Sequence, residues 1–474
     1  MSRFIIIIVL FSFPLIGLAQ HTFIHSYGFA GYNEGVEVLH HTNGYLIAGN
    51  SSYINGNTQI YLVKSGKDGF PLWEQGYFEQ QISRINSAKL ISADSILLSG
   101  TQHSGTAEGY NFFAAMVDTN GHIYWEQEFG GSGWQEFTDV KLRNNHLWLG
   151  GYTFQDTAGF YKPFIAQLQM NGTIRQQQLV NTSAESLINA LDMIGDSVIL
   201  TAGYSQNPNT NEKNGQIMLL DTGLNLIMDT TLTDSLENEL LFVMWSDPNI
   251  ITGGYQLTQN NSKQMWNIHI NPFTPQQRSF LSGLSKDDVF YDVTLSPNNG
   301  YYYTGYTESY GAGKKDIVYH ITNKQGFWKA AGRYGDTENE TGYSIISDSS
   351  NRLIICGQTE SWGPDYSNII LLKADSAYQP LVYNDHFSRA ETISPEQVIL
   401  KVFPNPFQAF LHVEIPHRLL KEHPTLIVKD ISGRIVYQEK AEASMHINPG
   451  PLSPGLYFIG LKGSGIWEKI IRQH

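Results

Sequence analysis

The sequence predicts an all-β protein: a seven-bladed β-propeller of four-stranded antiparallel blades, followed by a small C-terminal β-sandwich. Three observations support this prediction: a repeat of about 51 residues, short apolar runs separated by turn residues, and a change of pattern after residue 385. The composition agrees, since 44 glycines and 50 tyrosines and phenylalanines among 474 residues suit many turns and many strands.

The repeat is marked by a short apolar run that ends in glycine. Successive marker glycines are 51 or 52 residues apart, and each is expected to occupy an equivalent place in its blade. These anchor glycines are Gly49, Gly100, Gly151, Gly203, Gly254, Gly305 and Gly357.

Each repeat contains four apolar runs, as the first repeat illustrates. A second run at 59–63 follows the anchor, then the turn signal Asp68-Gly69, then a strand that carries Trp73. Four short strands and their turns fill one propeller blade. The sustained 3.6-residue period of helices is missing, and a β-solenoid would have shorter coils.

Ring closure has two candidate strands. Residues 22–27 end in Tyr27-Gly28, as the Trp-bearing strands do, so they are predicted to complete the last blade as its outer strand. Residues 378–383 are the alternative. The repeats as a whole resemble the propeller repeats of secreted bacterial proteins, best at 151–153 and 305–307, and this resemblance concerns the fold alone.

The N-terminus has the features of a secretory signal peptide. Arg3 precedes a nearly continuous apolar stretch from Phe4 to Leu18, and cleavage is expected after Ala19. No other stretch reaches transmembrane length, so no membrane span is predicted. We assign residues 1–19 to the signal peptide, 20–385 to the propeller, 386–396 to a linker and 397–474 to the C-terminal domain.

Four motifs punctuate the C-terminal segment in a fixed order: a Pro-Asn-Pro opening, an Asp-x-x-Gly-Arg hairpin, a Leu-x-x-Gly-x-Tyr strand and a basic last strand. Their marker residues are Pro404, Asn405, Pro406, Asp430, Gly433, Arg434, Gly455, Tyr457 and Lys469. Together they resemble the type A sorting domain of the type IX secretion system. The resemblance implies a seven-stranded β-sandwich, recognition by the secretion machinery, cleavage after translocation, a bacterium of the Bacteroidota kind, and delivery to the cell surface or medium.

Charge and cysteine content exclude several classes of function. The net charge of −14 argues against nucleic acid and anionic membrane surfaces as partners, because both require clustered basic residues. A single cysteine, Cys356, excludes an internal disulfide framework.

Candidate functional side chains are sparse. Acidic residues recur near the first strand of several blades, where one mouth of the central channel is expected, and they could bind a cation or polar ligand or form a solvated rim. The candidates are Asp139, Asp288 and Asp292, with Glu34, Glu136, Glu185 and Glu340 as further members of the series. Metal, nucleophile and phosphate-binding motifs are missing, so no cofactor or metal is predicted.

Exposed aromatic residues are a second set of candidates. They could stack on sugars or pack at blade edges, and edge packing is favoured. This set contains Tyr53, Trp134, Tyr310, Trp362 and Tyr366.

Three functions remain open from the sequence. The first is a secreted or surface-attached, non-catalytic binding or adhesion module that recognises an unknown surface protein or a glycan through loops on one propeller face. The second is a carbohydrate-active or peptide-cleaving enzyme with its site at the channel mouth. The third is a structural component of the cell surface.

Overall fold

The structure is a computed structural model that describes residues 22–374 and 400–472 with short interruptions. The predicted signal peptide at 1–19 and the linker at 386–396 lie outside the described residues. The interruptions are 29–30, 53–56, 79–81, 104–108, 132, 155–158, 234–235, 275–276, 349, 364–365, 404–406, 416–419, 421–423, 431–433, 451 and 463–466.

The first part of the chain consists of short strands, most of them six to ten residues long. In chain order they are β1 (Phe23–Tyr27), β2 (Tyr32–His41), β3 (Gly44–Ser52), β4 (Thr58–Gly66), β5 (Pro71–Tyr77), β6 (Ile82–Leu90), β7 (Ser95–His103), β8 (Gly109–Asp118), β9 (Ile123–Phe129), β10 (Gly133–Arg143), β11 (His146–Phe154), β12 (Tyr161–Gln169), β13 (Ile174–Leu179), β14 (Ser186–Ile194), β15 (Val198–Gln206), β16 (Lys213–Asp221), β17 (Leu226–Thr231), β18 (Asn238–Ser246), β19 (Asn249–Leu257), β20 (Lys263–Ile270), β21 (Gln277–Ser282), β22 (Asp288–Leu295), β23 (Gly300–Thr307), β24 (Asp316–Asn323), β25 (Trp328–Tyr334), β26 (Glu340–Ser347), β27 (Leu353–Thr359) and β28 (Asn368–Lys373).

These described strands form seven antiparallel units of four. Blade 1 is β2-β3-β4-β5, each later blade takes the next four strands, and blade 7 is β26-β27-β28-β1. The inner strands, which are the first of each blade, contact one another in sequence, and β26 contacts β2, so the ring closes. A short parallel pairing of β8 with β10 also joins blades 2 and 3. The fold is therefore the predicted β-propeller.

Blade 7 is completed by the N-terminal strand. β1 pairs antiparallel with β28, from Phe23 opposite Lys373 to Tyr27 opposite Ile369. The hydroxyl of Tyr27 donates a hydrogen bond to the Gly69 carbonyl of blade 1 at 2.5 Å. The prediction that residues 22–27 supply the outer strand is confirmed, while 378–383 lie outside the described residues.

The core is divided among the blade interfaces. Buried apolar side chains form at least one cluster between each pair of neighbouring blades, including blades 7 and 1, where Val38 packs with Cys356 and Leu371. Each blade thus buries both faces against its neighbours, which a single blade cannot do alone. Burial raises the pKa of the Cys356 thiol, because the thiolate would lose its hydration.

All seven anchor glycines lie in the second strand of their blades, opposite a β-bulge in the inner strand. Gly203 pairs with Ile188 just before the bulge, and Gly305 pairs with Phe290 in the same way. A side chain at any of the seven would collide with a backbone carbonyl of the inner strand, such as that of Leu187 at Gly203. The close approach of the bulged strand explains why glycine recurs at these seven positions.

The C-terminal part is a separate β-structure. Its strands are β29 (Lys401–Phe403), β30 (Leu411–Glu414), β31 (Thr425–Asp430), β32 (Ile435–Lys440), β33 (Ser444–Ile447), β34 (Gly455–Leu461) and β35 (Trp467–Arg472). A three-stranded sheet, β29-β30-β33, and a four-stranded sheet, β32-β31-β34-β35, share one core that includes Leu411, Val428 and Ile470. The seven described strands form the expected β-sandwich.

Candidate functional site

One face of the propeller carries the longer loops. Because strand directions alternate, the loops between the second and third strands of every blade share this face with the connections between blades. We call it the long-loop face. The described residues of its loops are 57, 159–160, 207–212, 258–262, 308–315, 360–363 and 366–367.

A repeated tyrosine lies on this face in blades 3 to 6. We call the contact between a tyrosine of the second strand and a lysine at or just before the start of the third strand, present in blades 4 to 6, the brace. The residue after the anchor glycine is a tyrosine in each of these blades: Tyr152, Tyr204, Tyr255 and Tyr306. In blades 4 to 6 a lysine at the start of the third strand or just before it lies over the tyrosine ring, with Lys213 4.3 Å from Tyr204, Lys263 4.2 Å from Tyr255 and Lys315 4.2 Å from Tyr306. Each such cation–π contact joins a side chain of the second strand to one at or just before the start of the third strand.

Carboxylates complete the braces. The Tyr204 hydroxyl donates to Glu185 at 3.0 Å, and the Tyr255 hydroxyl donates to Glu239, also at 3.0 Å. Burial and the neighbouring Glu239 carboxylate raise the pKa of the Tyr255 hydroxyl, so it remains a hydrogen-bond donor. This side of the face is therefore filled by its own side chains.

Blades 7, 1 and 2 have no tyrosine after the anchor glycine, and a cleft lies between them. Thr101 takes that place in blade 2. In blades 1 and 7, Asn50 and Gln358 follow the anchor glycine, and Thr58 and Ser367 replace the lysines. These four smaller side chains help to line a cleft of about 190 Å³ between blades 7, 1 and 2. The full lining is Tyr32, Asn33, Glu34, Asn50, Ser52, Thr58, Arg84, Gln358 and Ser367.

The cleft has fixed polar groups. Arg84 of β6 forms an ion pair with Glu34 of β2 at 3.0 Å, and the arginine side chain remains 54% exposed. Asn50 donates to Glu34 at 3.0 Å and exchanges two hydrogen bonds of 2.9 Å with the backbone of Ile85. A ligand would thus meet a carboxylate, a guanidinium and amide groups already held by neighbouring blades.

An exposed aromatic pair borders the cleft. The rings of Tyr32 and Tyr366 stack with centroids 5.2 Å apart and planes 17° apart. Both are exposed, at 54% and 60%. The pair is held in place because the backbone around Tyr32 bridges to Ser367, whose carbonyl accepts a hydrogen bond from Asn33 N–H at 3.2 Å. An aromatic surface beside polar groups suits a sugar ring, which has apolar faces and hydroxyl edges.

Two of the three acidic candidates from the sequence lie in the channel wall. Asp139 and Asp292 follow the bulges of their inner strands, and Lys89 experiences the charges of both as well as that of Glu37. Lys89 and Glu37 form an ion pair at 3.1 Å. Burial and the nearby Glu37 raise the pKa of Asp292 to about 7, because charging a desolvated carboxyl beside another one is unfavourable.

Asp288 lies apart from the channel group. The bulge at Tyr291 separates it from Asp292 and reverses which residues face the channel. Asp288 is buried, and it accepts hydrogen bonds from Ser309 Oγ at 2.6 Å and Leu284 N–H at 3.1 Å, which ties two loops together. A ligand-binding role for the three aspartates stays a prediction.

The long-loop face also contains most of the exposed aromatics singled out in the sequence. Trp134 and Tyr310 are 39% and 40% exposed, Tyr366 belongs to the stacked pair, and Trp362 is half-buried. Tyr53 lies outside the described residues. The sequence reasoning did not single out Tyr32, Arg84, Asn50 or Gln358, although a comparison of the residues after the anchor glycines would have shown where tyrosine is replaced.

The described residues contain neither a metal-binding cluster nor a membrane-spanning helix. Among those residues, no group of three or more His, Cys, Asp and Glu side chains is placed to hold a metal ion. No described helix has the length and apolar character needed to cross a membrane.

The marker residues of the C-terminal domain occupy strand ends and a hairpin. Arg434 forms an ion pair with Asp430 at 3.2 Å across the turn between β31 and β32. Tyr457 of β34 is buried and donates to the Ser453 carbonyl at 2.7 Å, Gly455 begins the same strand, and Lys469 of β35 is exposed. Pro404, Asn405, Pro406 and Gly433 lie outside the described residues.

The family comparison agrees with this geometry. Residues 401–473 match the family described as the secretion system C-terminal sorting domain. The C-terminal domain is a type IX secretion sorting domain. The sorting domain directs export through the type IX machinery to the cell surface or the extracellular space.

The propeller resembles solved structures at low sequence identity. One similar solved structure is the WD40 domain of Toxoplasma gondii coronin, with 7% identity and a TM-score of 0.45, covering 75% of this chain and 86% of that one. Another is the WD40 domain of Neurospora crassa Pan2, with 15% identity and a TM-score of 0.38, covering 57% of this chain and 71% of that one. An acylaminoacyl peptidase of Pyrococcus horikoshii is similar at 11% identity and a TM-score of 0.42, covering 81% of this chain and 58% of that one. Such likenesses concern the fold alone. No curated protein matches the chain.

Proposed function

We propose that the exported propeller is a non-catalytic module that binds a neutral glycan in the cleft between blades 7, 1 and 2. One observation carries the proposal: the cleft occurs where small polar residues replace the Tyr–Lys braces, directly beside the exposed Tyr32–Tyr366 stack. A position that departs from the repeat while presenting both an aromatic surface and fixed polar groups is suited to recognition.

Charge supports a neutral ligand. The chain carries a net charge of −14, and the one guanidinium in the cleft is already paired with Glu34. An anionic ligand would have to approach against the overall field and compete with Glu34 for Arg84. A neutral sugar can instead accept from the arginine and donate to the carboxylate without breaking their ion pair.

Non-catalytic binding is supported by the lining of the cleft. Glycoside hydrolysis generally requires two carboxyl groups about 5–10 Å apart. Among the described residues that line the cleft, Glu34 is the one carboxylate. The arrangement can orient a sugar, but it supplies no acid–base pair.

The proposal is tested with the purified, processed protein on an array of neutral and acidic glycans, followed by calorimetry on the sugars retained. Tyr32→Ala should weaken binding about tenfold, which corresponds to the loss of one stacking contact. Tyr310→Ala is the matched control, since Tyr310 is an exposed aromatic on the same face in a loop of blade 6. Equal affinities for the two variants, or retention of acidic glycans only, would contradict the proposal.

One observation favours the alternative of an enzyme at the channel mouth. A carboxyl group whose pKa is about 7, beside a second carboxyl group and a lysine, is a common arrangement for general acid catalysis. Both Asp292 oxygens, however, accept backbone hydrogen bonds of 2.7 and 2.8 Å. We therefore retain the enzyme as the second candidate, tested by a turnover assay.

A further inference from the structure

A second aromatic pair lies on the long-loop face, between blades 2 and 3. The rings of Tyr110 and Trp134 lie 4.2 Å apart between centroids, and His103 meets Tyr110 edge-on at 5.2 Å. Trp134 is 39% exposed and occupies the same place in β10 that Tyr32 occupies in β2, two residues before a glutamate. Tyr32 and Trp134 are therefore equivalent residues of blades 1 and 3, with blade 2 between them.

The second pair is fixed by backbone structure. β8 and β10 run parallel for two residue pairs, Gly109 with Gly133 and Tyr110 with Trp134. A side chain at Gly109 would collide with the backbone of Gly133, so the two glycines permit the close approach that stacks the rings. The indole N–H of Trp134 donates to Glu136 at 3.0 Å, which sets the orientation of the ring.

Polar side chains of three blades lie between the two pairs. Arg84 of blade 2 bonds to Glu34 of blade 1 at 3.0 Å, beside Tyr32. Two residues further along β6, Asn86 donates to Glu136 of blade 3 at 2.6 Å. Because Glu136 also accepts a hydrogen bond from Trp134, polar side chains of β2, β6 and β10 lie between the first aromatic pair and the second.

The cleft alone is small for a ligand. Its volume of about 190 Å³ lies below the roughly 300–1,000 Å³ of typical small-molecule pockets. A single bound sugar would remain largely exposed, and one stacking contact gives modest affinity. A second stacking surface joined by polar groups would raise the affinity of a longer chain, because its second contact forms within the same molecule.

We propose that the two aromatic pairs, Tyr32–Tyr366 and Tyr110–Trp134, are two subsites for one neutral polysaccharide chain that crosses blades 7, 1, 2 and 3. This inference rests on the proposed glycan-binding function and specifies its ligand as an oligomer. The Glu34–Arg84 pair and the Asn86–Glu136 pair hydrogen-bond the hydroxyl groups between the two stacked sugars.

The experiment compares short and long ligands. The probes are cello-, xylo- and manno-oligosaccharides, each as a disaccharide and a hexasaccharide, titrated calorimetrically into the purified, processed protein. For the series that binds, the hexasaccharide should bind at least about tenfold more tightly than the disaccharide. Trp134→Ala should abolish this gain, whereas Tyr32→Ala should abolish the gain and also weaken disaccharide binding in the cleft.

Controls separate the subsite from general damage. Trp134→Phe keeps an aromatic ring and should retain most of the length gain, and Tyr310→Ala should retain all of it. Each variant is first checked for an unchanged melting temperature. Binding that is independent of length, or a length gain that survives Trp134→Ala, overturns the two-subsite proposal while the single cleft stands. Failure of every probe to bind overturns the proposed function and this inference together.

Discussion

Asp292 in blade 6 accepts a hydrogen bond of 2.8 Å from the backbone N–H of Ile345 in blade 7. Asp139 does the same for Leu191 between blades 3 and 4, at 2.9 Å. Both aspartates follow a bulge, and both also bond the next N–H of their own strand, at 2.7 Å. These carboxylates satisfy inner-strand N–H groups in the channel wall and thereby join consecutive blades.

The raised pKa of Asp292 predicts a pH-dependent stability. The folded protein holds this proton up to a pH of about 7, whereas the unfolded chain releases it near 4. The folded state therefore binds more protons between these values, and this group's contribution to the free energy of unfolding falls as the pH rises from about 4 to about 7. Asp292→Asn removes this contribution. Between pH 5 and pH 8, the free energy of unfolding measured in urea should therefore fall more for the wild type than for the variant.

Asp336 is exposed, so Asp336→Asn is the matched control for Asp292→Asn. The charges that surround Asp292 are those of Glu37 and Lys89, with Asp139 also acting on Lys89. An identical pH dependence in wild type and Asp292→Asn would show that the channel carboxyl is ionised throughout and would contradict this prediction.

The anchor glycines should be intolerant of a side chain. Gly203→Ala would place a methyl group against the Leu187 carbonyl at the bulge of β14. The backbone would have to shift in a packed blade interface, so we expect a loss of about 1–3 kcal/mol in the free energy of unfolding, measured by urea denaturation.

Gly131→Ala is the control, because nothing lies within 4 Å of its added methyl group. It should leave the free energy of unfolding unchanged or raise it slightly, because alanine lowers the conformational entropy of the unfolded chain. Equal effects at Gly203 and Gly131 would mean that the bulge does not require glycine.

The fold could be predicted because the anchor glycines, unlike Gly131, are required by the backbone of every blade. Every blade has a bulge that brings a carbonyl onto the second strand, so glycine is needed each time and leaves a regular mark in the sequence. The closing strand was also predictable, because Tyr27 ends it as Tyr77 ends the outer strand of blade 1. Each hydroxyl donates to the glycine of a turn in the next blade, Gly69 or Gly121.

The candidate site was harder to predict for two physical reasons. Its signal is the replacement of tyrosine by Asn50 and Gln358, which appears only when the blades are compared position by position. The bulges also break the alternation of a strand, so Asp288 and Asp292 are four residues apart but face different surroundings.

Export should depend on the C-terminal domain. Deletion of residues 391–474 removes the sorting domain and leaves the propeller, whose cores lie between its own blades. We expect the truncated protein to accumulate, folded, in the periplasm, as measured by cell fractionation and protease accessibility on intact cells. The intact chain in the same strain is the control, and efficient surface delivery of the truncated protein would refute the assignment of this role.

The last prediction concerns catalysis: we expect the processed protein to turn over no polysaccharide, glycoside or peptide substrate and to contain no bound metal or organic cofactor. The cleft lining offers one described carboxylate, and the channel aspartates use their oxygens on backbone N–H groups. The measurement is a substrate screen beside the glycan array, with metal analysis of the purified protein.

Asp139→Asn, Asp288→Asn and Asp292→Asn serve as the decisive variants. Turnover that one of them abolishes, in a protein that still melts cooperatively, would establish that the protein is an enzyme. Glycan binding without turnover is the outcome expected from a cleft that has an aromatic surface and no acid–base pair.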